Sequence, residues 1–177
     1  MTPSQNVHFL RQAETLCVLL GEDAYAAQDG GRSPIGAHLR HVVDYYNCFF
    51  NGLEAGRIDY DARQRDPALE VDPVHAAAVV RGLIERFEAL GGDREREILV
   101  KVDTRGDEEL VWSRSTLARE LQFLVSHTVH HYALISLMMR HRGLEPDPGF
   151  GVAPSTLDYR KGLTAATPIP GAPACVR

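Results

Sequence analysis

The chain has 177 residues, of which 44% are hydrophobic and 24% charged, with a formal net charge of −5. This is the composition of one ordinary globular domain, large enough for a sizeable core. Lysine occurs only at Lys101 and Lys161 and no basic cluster exists, so the concentrated positive face required by a duplex-binding protein is missing and nucleic acid is not an expected partner.

No apolar run approaches the length of a bilayer span, so no membrane association is expected. The opening MTPSQNVHFLRQAE has no basic, apolar and small-residue succession of a signal peptide. Cys17, Cys48 and Cys175 are odd in number and widely spaced. They read as reduced thiols of a cytoplasmic protein.

Taken in chain order, Val7, Leu10, Leu16, Leu19 and Leu20 give an apolar face from about Ser4 to Leu20, and Gly21 ends this first helix. The polar GEDAYAAQDGGR is a connection. Ser33-Pro34, a hydroxyl cap followed by proline, opens a second helix with the stripe Ile35, Leu39, Val42, Tyr46, Phe49 and Leu53, and Gly56 marks its exit. RIDYDARQRDPALEVDP is dense in charge without an apolar period and reads as an irregular connection. Asp72-Pro73 repeats the capping signal and starts a third helix that ends at Gly91-Gly92.

Between the third and fourth helices the period changes. EILVKV and ELVW are short, β-prone runs around the turn-like DTRGDE, which predicts a small hairpin. Ser115 then caps a fourth helix that runs to Gly143. The remaining chain is proline-rich and predicts an extended tail, with a helical turn conceivable at Pro154 to Leu157. The expected fold class is all-α, a four-helix bundle with a small β-hairpin between helices 3 and 4.

Chemistry-bearing residues concentrate on the fourth helix. Leu117, Glu120, Leu124, His127, His131, Leu134 and Met138 follow steps of three and four residues and so share one helical face. Two imidazoles one turn apart can reach one metal ion, and burying them without partners costs free energy. Alone the pair is a weak signal, equally satisfied by a hydrogen-bonded core pair. A zincin motif is disfavoured because Thr128, Val129 and His130 stand between the two histidines.

A second cluster, His38 and His41, lies on the second helix. One of these imidazoles facing the His127–His131 pair would complete a three-histidine site with open positions, as in catalytic zinc centres. Periodicity leaves the choice open. His38 lies nearer the centre of the apolar stripe, whereas His41 lies on its flank beside Ala37, Tyr45 and Cys48. His130 faces away from the pair by about 100°, and His8, His75 and His141 read as surface positions.

Asp44, one turn beyond His41, is a candidate second-shell acceptor or general base, or equally an exposed helix charge. Glu120, two turns before His127, is a weaker candidate because an unpaired carboxylate is out of place there. Tyr45, Tyr60, Arg63 and Arg65 are candidates for polar contacts to a substrate, although DYDARQRDPALE reads first as a charge-laced loop. Cys48 reads as a small core residue.

IGAHLRHVVDYY together with ELQFLVSHTVHHYALISLMMRHRG resembles the DinB/YfiT-like family of metal-binding four-helix bundles, which is distinct from the DNA polymerase of similar name. The family pattern has a histidine, two mostly apolar residues and an acidic one in the second helix. Further on come a histidine, three residues and a second histidine, often with another just before the last. Here it falls on His41 with Asp44, and on His127, His130 and His131. The resemblance thus favours His41, His127 and His131 as ligands of a divalent metal, zinc or nickel, with His38 as the competitor.

What the resemblance implies of function is a metal-dependent enzyme of thiol S-transferase or hydrolase type acting on a small molecule. Relatives include bacillithiol S-transferases and a mycothiol-dependent maleylpyruvate isomerase, whose metal holds a low-molecular-weight thiol as thiolate. The alternatives are a non-catalytic metal-binding or stress-associated bundle, which a fourth ligand such as His38, Asp44 or Cys48 would mark, and a metal-free ligand-binding bundle. Tyr132 departs from the pattern, since relatives often carry arginine there.

The DinB-like domain is expected over 1–163, with 164–177 a loose tail. Within the segment 149–161, Phe150 and Leu157 are expected to pack back on the bundle, with Tyr159 or Arg160 within reach of a substrate. A homodimer is expected because relatives pair through helices and because one bundle core cannot easily bury the whole arc Tyr45, Tyr46, Phe49 and Phe50.

Overall fold

The computed structural model describes residues 3–28, 31, 33–102 and 111–165. The elements run α1 (Pro3–Leu19), α2 (Glu22–Ala26), α3 (Ile35–Leu53), β1 (Arg57–Asp59), α4 (Ala68–Val71), α5 (Pro73–Glu88), β2 (Glu97–Lys101), β3 (Ser113–Thr116), α6 (Leu117–His141) and α7 (Pro154–Ala165). The chain is thus mostly helical with a small three-stranded sheet. The four long helices share one core: α1 packs on α5 and α6, and α3 packs on α5 and α6.

Local chemistry sets the helix ends. The Asp72 carboxylate accepts from the amides of Val74 and His75, with Pro73 at the first helical position, so α5 starts as its sequence predicts. Gly56 closes α3 in the left-handed region, at φ +65°. At the other end of α3 the expected Ser33 cap is not used; Pro34 occupies the capping position, with no side-chain cap.

The α3 stripe is buried as expected at Ile35, Leu39, Val42, Tyr46 and Phe49. Of the arc expected to drive dimerisation, Tyr46 and Phe49 are fully buried. Phe50 is half-buried, with its ring against Phe87 and the Arg86 guanidinium over it. Tyr45 stacks on Tyr60 and His127. Tyr46 and Phe49 are thus accommodated within one chain, and Tyr45 and Phe50 only in part.

Three expectations about connections need correction. The connection at 57–73 is not wholly irregular, because it holds β1 and α4. β1 runs parallel to β2, with Arg57 opposite Leu99, and β2 runs antiparallel to β3, with Glu97 opposite Thr116. Here tertiary pairing overrides a locally charged sequence.

The described second hairpin strand lies at 113–116, and Val111 and Trp112 of the β-prone run stand outside it. Residues 103–110 fall outside the described part. The shift has a cause in the helix that follows: its first orphan amides, Leu117 and Ala118, donate to the carbonyls of Arg96 and Arg94, so the strand must pair up to the helix start. Accordingly Thr116, not Ser115, is the cap of α6, accepting from the Arg119 amide.

The segment after α6 is not extended throughout either, since the helical turn expected at Pro154 to Leu157 is the start of a longer helix, α7. Ahead of α7, Phe150 is buried as expected and stacks on Tyr132 at 4.7 Å, while Leu157 stays half-buried. Gln12 clamps this segment to α1 by donating to the Gly149 carbonyl and accepting from the Gly151 amide. The expected loose tail at 164–177 lies, from 166 onward, outside the described residues. No helix of the described chain is long and apolar enough to cross a membrane.

Glycine spacing yields a direct test. A Cβ at Gly52 would lie 2.1 Å from the Arg57 carbonyl, where the chain turns back from α3 into β1. At Gly82, inside α5, it would meet nothing within 4 Å. Gly52→Ala should destabilise by about 1–3 kcal/mol through overpacking. Gly82→Ala should stabilise by about 0.5–1 kcal/mol through lower unfolded-state entropy. Urea-unfolding midpoints would show opposite signs for the two variants.

Candidate metal centre

α3 and α6 face each other with their histidines at the same level. One ring nitrogen from each of His41, His127 and His131 lies within 4.8 Å of the others. The ring centroids are 5.0 Å apart for His41–His127 and 4.7 Å apart for both His41–His131 and His127–His131. All three rings are half-buried.

The fully buried face of α6 is Leu121, Leu124, Thr128, Tyr132 and Ile135. The histidine stripe runs along its edge, and Leu134 at the far end of that stripe is exposed. Periodicity alone placed the pair at the centre of the buried face. The edge position leaves the rings reachable from solvent.

The remaining ring nitrogens are informative. His131 Nδ1 lies 3.2 Å from His38 Nδ1, and His41 Nδ1 lies 3.3 Å from an Arg63 guanidinium nitrogen. His127 Nε2 is buried with no hydrogen-bond partner. An orphaned, buried nitrogen costs free energy unless something fills the gap between the rings. Three convergent imidazoles with one nitrogen each to spare fit a divalent ion. His38 does not join this set. Its Nδ1 touches Nδ1 of His131, a contact that can fix the tautomer and orientation of that ring.

Burial lowers all three ring pKa values from 6.5, to about 4 for His41 and His127 and to about 3 for His131. Next in weight is Arg63 at His41, His41 at His127 and His127 at His131. Each ring is therefore neutral near pH 7, the form in which imidazole ligates a metal.

Around the triad sits an aromatic frame. Tyr45 stacks on His127 with centroids 4.0 Å apart, and Tyr60 stacks on the other side of Tyr45 at 5.2 Å. The Tyr60 hydroxyl donates to Glu120 Oε2 at 2.7 Å, and Ser115 Oγ donates to Glu120 Oε1. Burial and the Glu120 charge push the Tyr60 phenol well up, so it stays protonated and keeps donating. Glu120 is thus buried and fully partnered, which answers the sequence puzzle of a carboxylate on an apolar stripe.

Asp44 is also buried. Its carboxylate takes an Arg40 guanidinium nitrogen at 2.8 Å and the backbone amide of Arg65, and it does not touch a histidine. Burial raises its pKa against the pull of Arg40. Its contact to Arg65 ties α3 to the loop that carries Arg63. Tyr159 is exposed, and α7 lies against α1, with Leu157 and Lys161 near Ser4 and Gln5.

The DinB superfamily model matches residues 9–135, which include His41, His127 and His131. The chain belongs to the DinB superfamily. A curated relative, FK506-binding protein 5 of Rhizopus delemar, is 30% identical over 107 residues, covering 59% of this chain and 28% of that protein. The chain thus spans little more than a quarter of that relative's length. No solved structure matches.

Membership in the DinB superfamily makes Tyr132 intelligible as a departure. At the position where the resemblance led one to expect arginine, this ring is fully buried, donates to the Phe9 carbonyl at 3.0 Å and anchors Phe150. The position is part of the core in this chain, not of the site. Reading the sequence missed Ser115 as the partner of Glu120 and Arg40 as the partner of Asp44. The i, i+4 spacing of Arg40 and Asp44 was the one signal available for either.

Two measurements test the site's chemistry. The three rings have folded pKa values below the unfolded value, so above pH 6.5 they are neutral in both states and contribute no pH dependence. As pH falls from 6.5 towards about 4 and about 3, the unfolded chain takes up protons that the folded one refuses. Metal-free protein should therefore lose stability progressively across that window, and thermal unfolding in chelator as a function of pH would show it. His38→Ala should leave the capacity of the site for metal intact while weakening affinity by about 10–100-fold, as read by competition with a chromophoric chelator.

Proposed function

We propose that this DinB protein is a metal-dependent enzyme of transferase or hydrolase type, with one divalent ion, zinc or nickel, held by His41, His127 and His131. The four long helices are read as the four-helix bundle of the family. The observation that carries the proposal is the convergence of one ring nitrogen from each of the three histidines to within 4.8 Å of one another, together with the buried, unpartnered Nε2 of His127. Three protein ligands leave positions open for water or a small molecule, the pattern of catalytic rather than structural sites.

A bound divalent ion would lower the pKa of a coordinated thiol or water and so supply a nucleophile at neutral pH. The chain's own groups hold and orient. Tyr45 fixes the plane of the His127 ring from one face, and Tyr60, held by Glu120, backs Tyr45. His38 sets the proton position on His131. A low-molecular-weight thiol is the proposed substrate class. The alternative, a non-catalytic metal-binding bundle, calls for a fourth ligand. Among the described residues the cluster has three members, with Asp44 committed to Arg40 and Cys48 buried in the core.

Metal analysis of protein purified without a metal-affinity tag should return one ion per chain. His127→Ala should abolish binding and lower the thermal midpoint of the loaded protein, because metal affinity adds to folding free energy. Unchanged stoichiometry in that variant would overturn the ligand set. Cobalt-substituted protein whose visible spectrum ignored added 2-mercaptoethanol would instead favour the non-catalytic alternative.

A further inference from the structure

Arg63 is an anomaly beside this centre. Its guanidinium lies next to His41 Nδ1, its Nε is buried without a hydrogen-bond partner, and its Cζ sits 6.0 Å from the centre of the Tyr45 ring. Among the described residues it makes no ion pair. The other guanidinium nearby, Arg40, is paired with Asp44 and Glu70. A cation with no ion-pair partner of its own among the described residues, although within the field of the Asp44 carboxylate, therefore stands beside three imidazoles suited to receiving another cation.

The hydrogen bond itself deepens the contradiction. Arginine can only donate, so His41 Nδ1 must be accepting. If Nδ1 ligates a metal, its lone pair is no longer available to Arg63. If Nε2 ligates, the neutral ring carries its proton on Nδ1, and two donors face each other. In both cases ligation by His41 displaces the guanidinium.

The loop beneath has reason to stay in place when the side chain moves. The Arg65 amide is held by Asp44, the Arg63 amide donates to the Asp61 carbonyl at 2.8 Å, and Arg65 adopts the left-handed region at φ 54°. A non-glycine residue held there is over-determined by its surroundings. The displaced guanidinium thus remains tethered at the rim of the centre, beside Tyr45, with its donors free.

We propose that Arg63 is the specificity-determining residue of this centre: it caps His41 in the metal-free protein and, once displaced by metal loading, binds the carboxylate of a small anionic substrate. This rests on the metal-enzyme reading above and narrows its substrate class to carboxylate-bearing molecules. The guanidinium fork matches a carboxylate in charge and geometry, whereas an uncharged thiol leaves it unpaired.

Cobalt(II)-loaded full-length protein allows a test without any assay of turnover. Cobalt affinity is measured by chelator competition, and ligand binding by the visible spectrum with 3-mercaptopropionate against 2-mercaptoethanol. The wild type should prefer the carboxylate probe by about tenfold or more, the scale of one charge-assisted hydrogen bond. Arg63→Gln should bind cobalt about tenfold more tightly, having lost its internal competitor, and should show almost no preference between the two thiols. These opposite changes in one variant are not the mark of a merely structural residue, whose loss would weaken both.

Arg63→Lys, which keeps the charge but not the fork, should retain part of the preference, and it decides the matter if the glutamine variant does not fold. Cobalt affinity that falls in Arg63→Gln, or a carboxylate preference that survives in it, overturns the proposal. A wild type that binds one cobalt without preferring the carboxylate overturns the role of Arg63 alone. A wild type that binds no cobalt overturns the metal centre and this inference with it.

Discussion

The register between α3 and α6 rests on one buried polar junction. The Tyr46 hydroxyl donates to Asn6 Oδ1 and lies 3.1 Å from Thr128 Oγ1, while the Asn6 amide nitrogen donates to the Leu121 carbonyl. All three residues are fully buried. Apolar packing tolerates small axial slips between helices, but hydrogen bonds in a dry core do not, because a slipped partner leaves a desolvated group unpaired. Thr128 is the residue after His127, and Tyr46 lies five residues beyond His41. Fixing this pair therefore fixes the height at which the imidazoles meet.

From that junction the site is built outward in decreasing rigidity. The two helices supply the three rings. The sheet supplies the next layer, because the β1–β2 pairing ends at Asp59 and Lys101 and delivers Tyr60, whose amide donates to the Lys101 carbonyl, directly against Tyr45. The loop beyond Tyr60 supplies Arg63. Groups that must keep their positions thus lie on regular elements, and the one group that must move lies on a loop. This is the division expected of a preorganised site with a single adjustable contact.

Much of this was legible in the sequence where a local rule governs the outcome. The four long helices follow from apolar spacing and capping chemistry, with Asp72-Pro73 and Gly56 acting as their residue types require. The histidine triad was legible only by joining two distant segments, and periodicity alone left the choice between His38 and His41 open. The reason is that a ligand need not sit at the centre of a buried face. His41 belongs on the flank, where α3 leaves the core and meets the edge of α6.

What escaped was set by long-range pairing. β1 is encoded by Arg57, Ile58 and Asp59, which form a strand because β2 lies alongside. The displaced β3 answers to the orphan amides of α6, and Asn6, Ser115 and Thr128 gain meaning only from partners far along the chain. Arg63 could be suspected as a polar contact, but its place beside His41 Nδ1 is a fact of three-dimensional arrangement.

The clamp between Gln12 and the segment at Gly149–Gly151 also bears on how the protein comes to exist. Residues separated by nearly the whole described chain complete each other's hydrogen bonds there, and Tyr132 closes on Phe9 across a similar separation. On the ribosome, where chains emerge at about 5–20 residues per second, α1 leaves the exit tunnel long before the surface that covers it. The part of its apolar face that α5 does not cover must wait, available to chaperones, until α6 has followed. The histidines of α3 wait equally for theirs, so the triad itself is one of the last features to form.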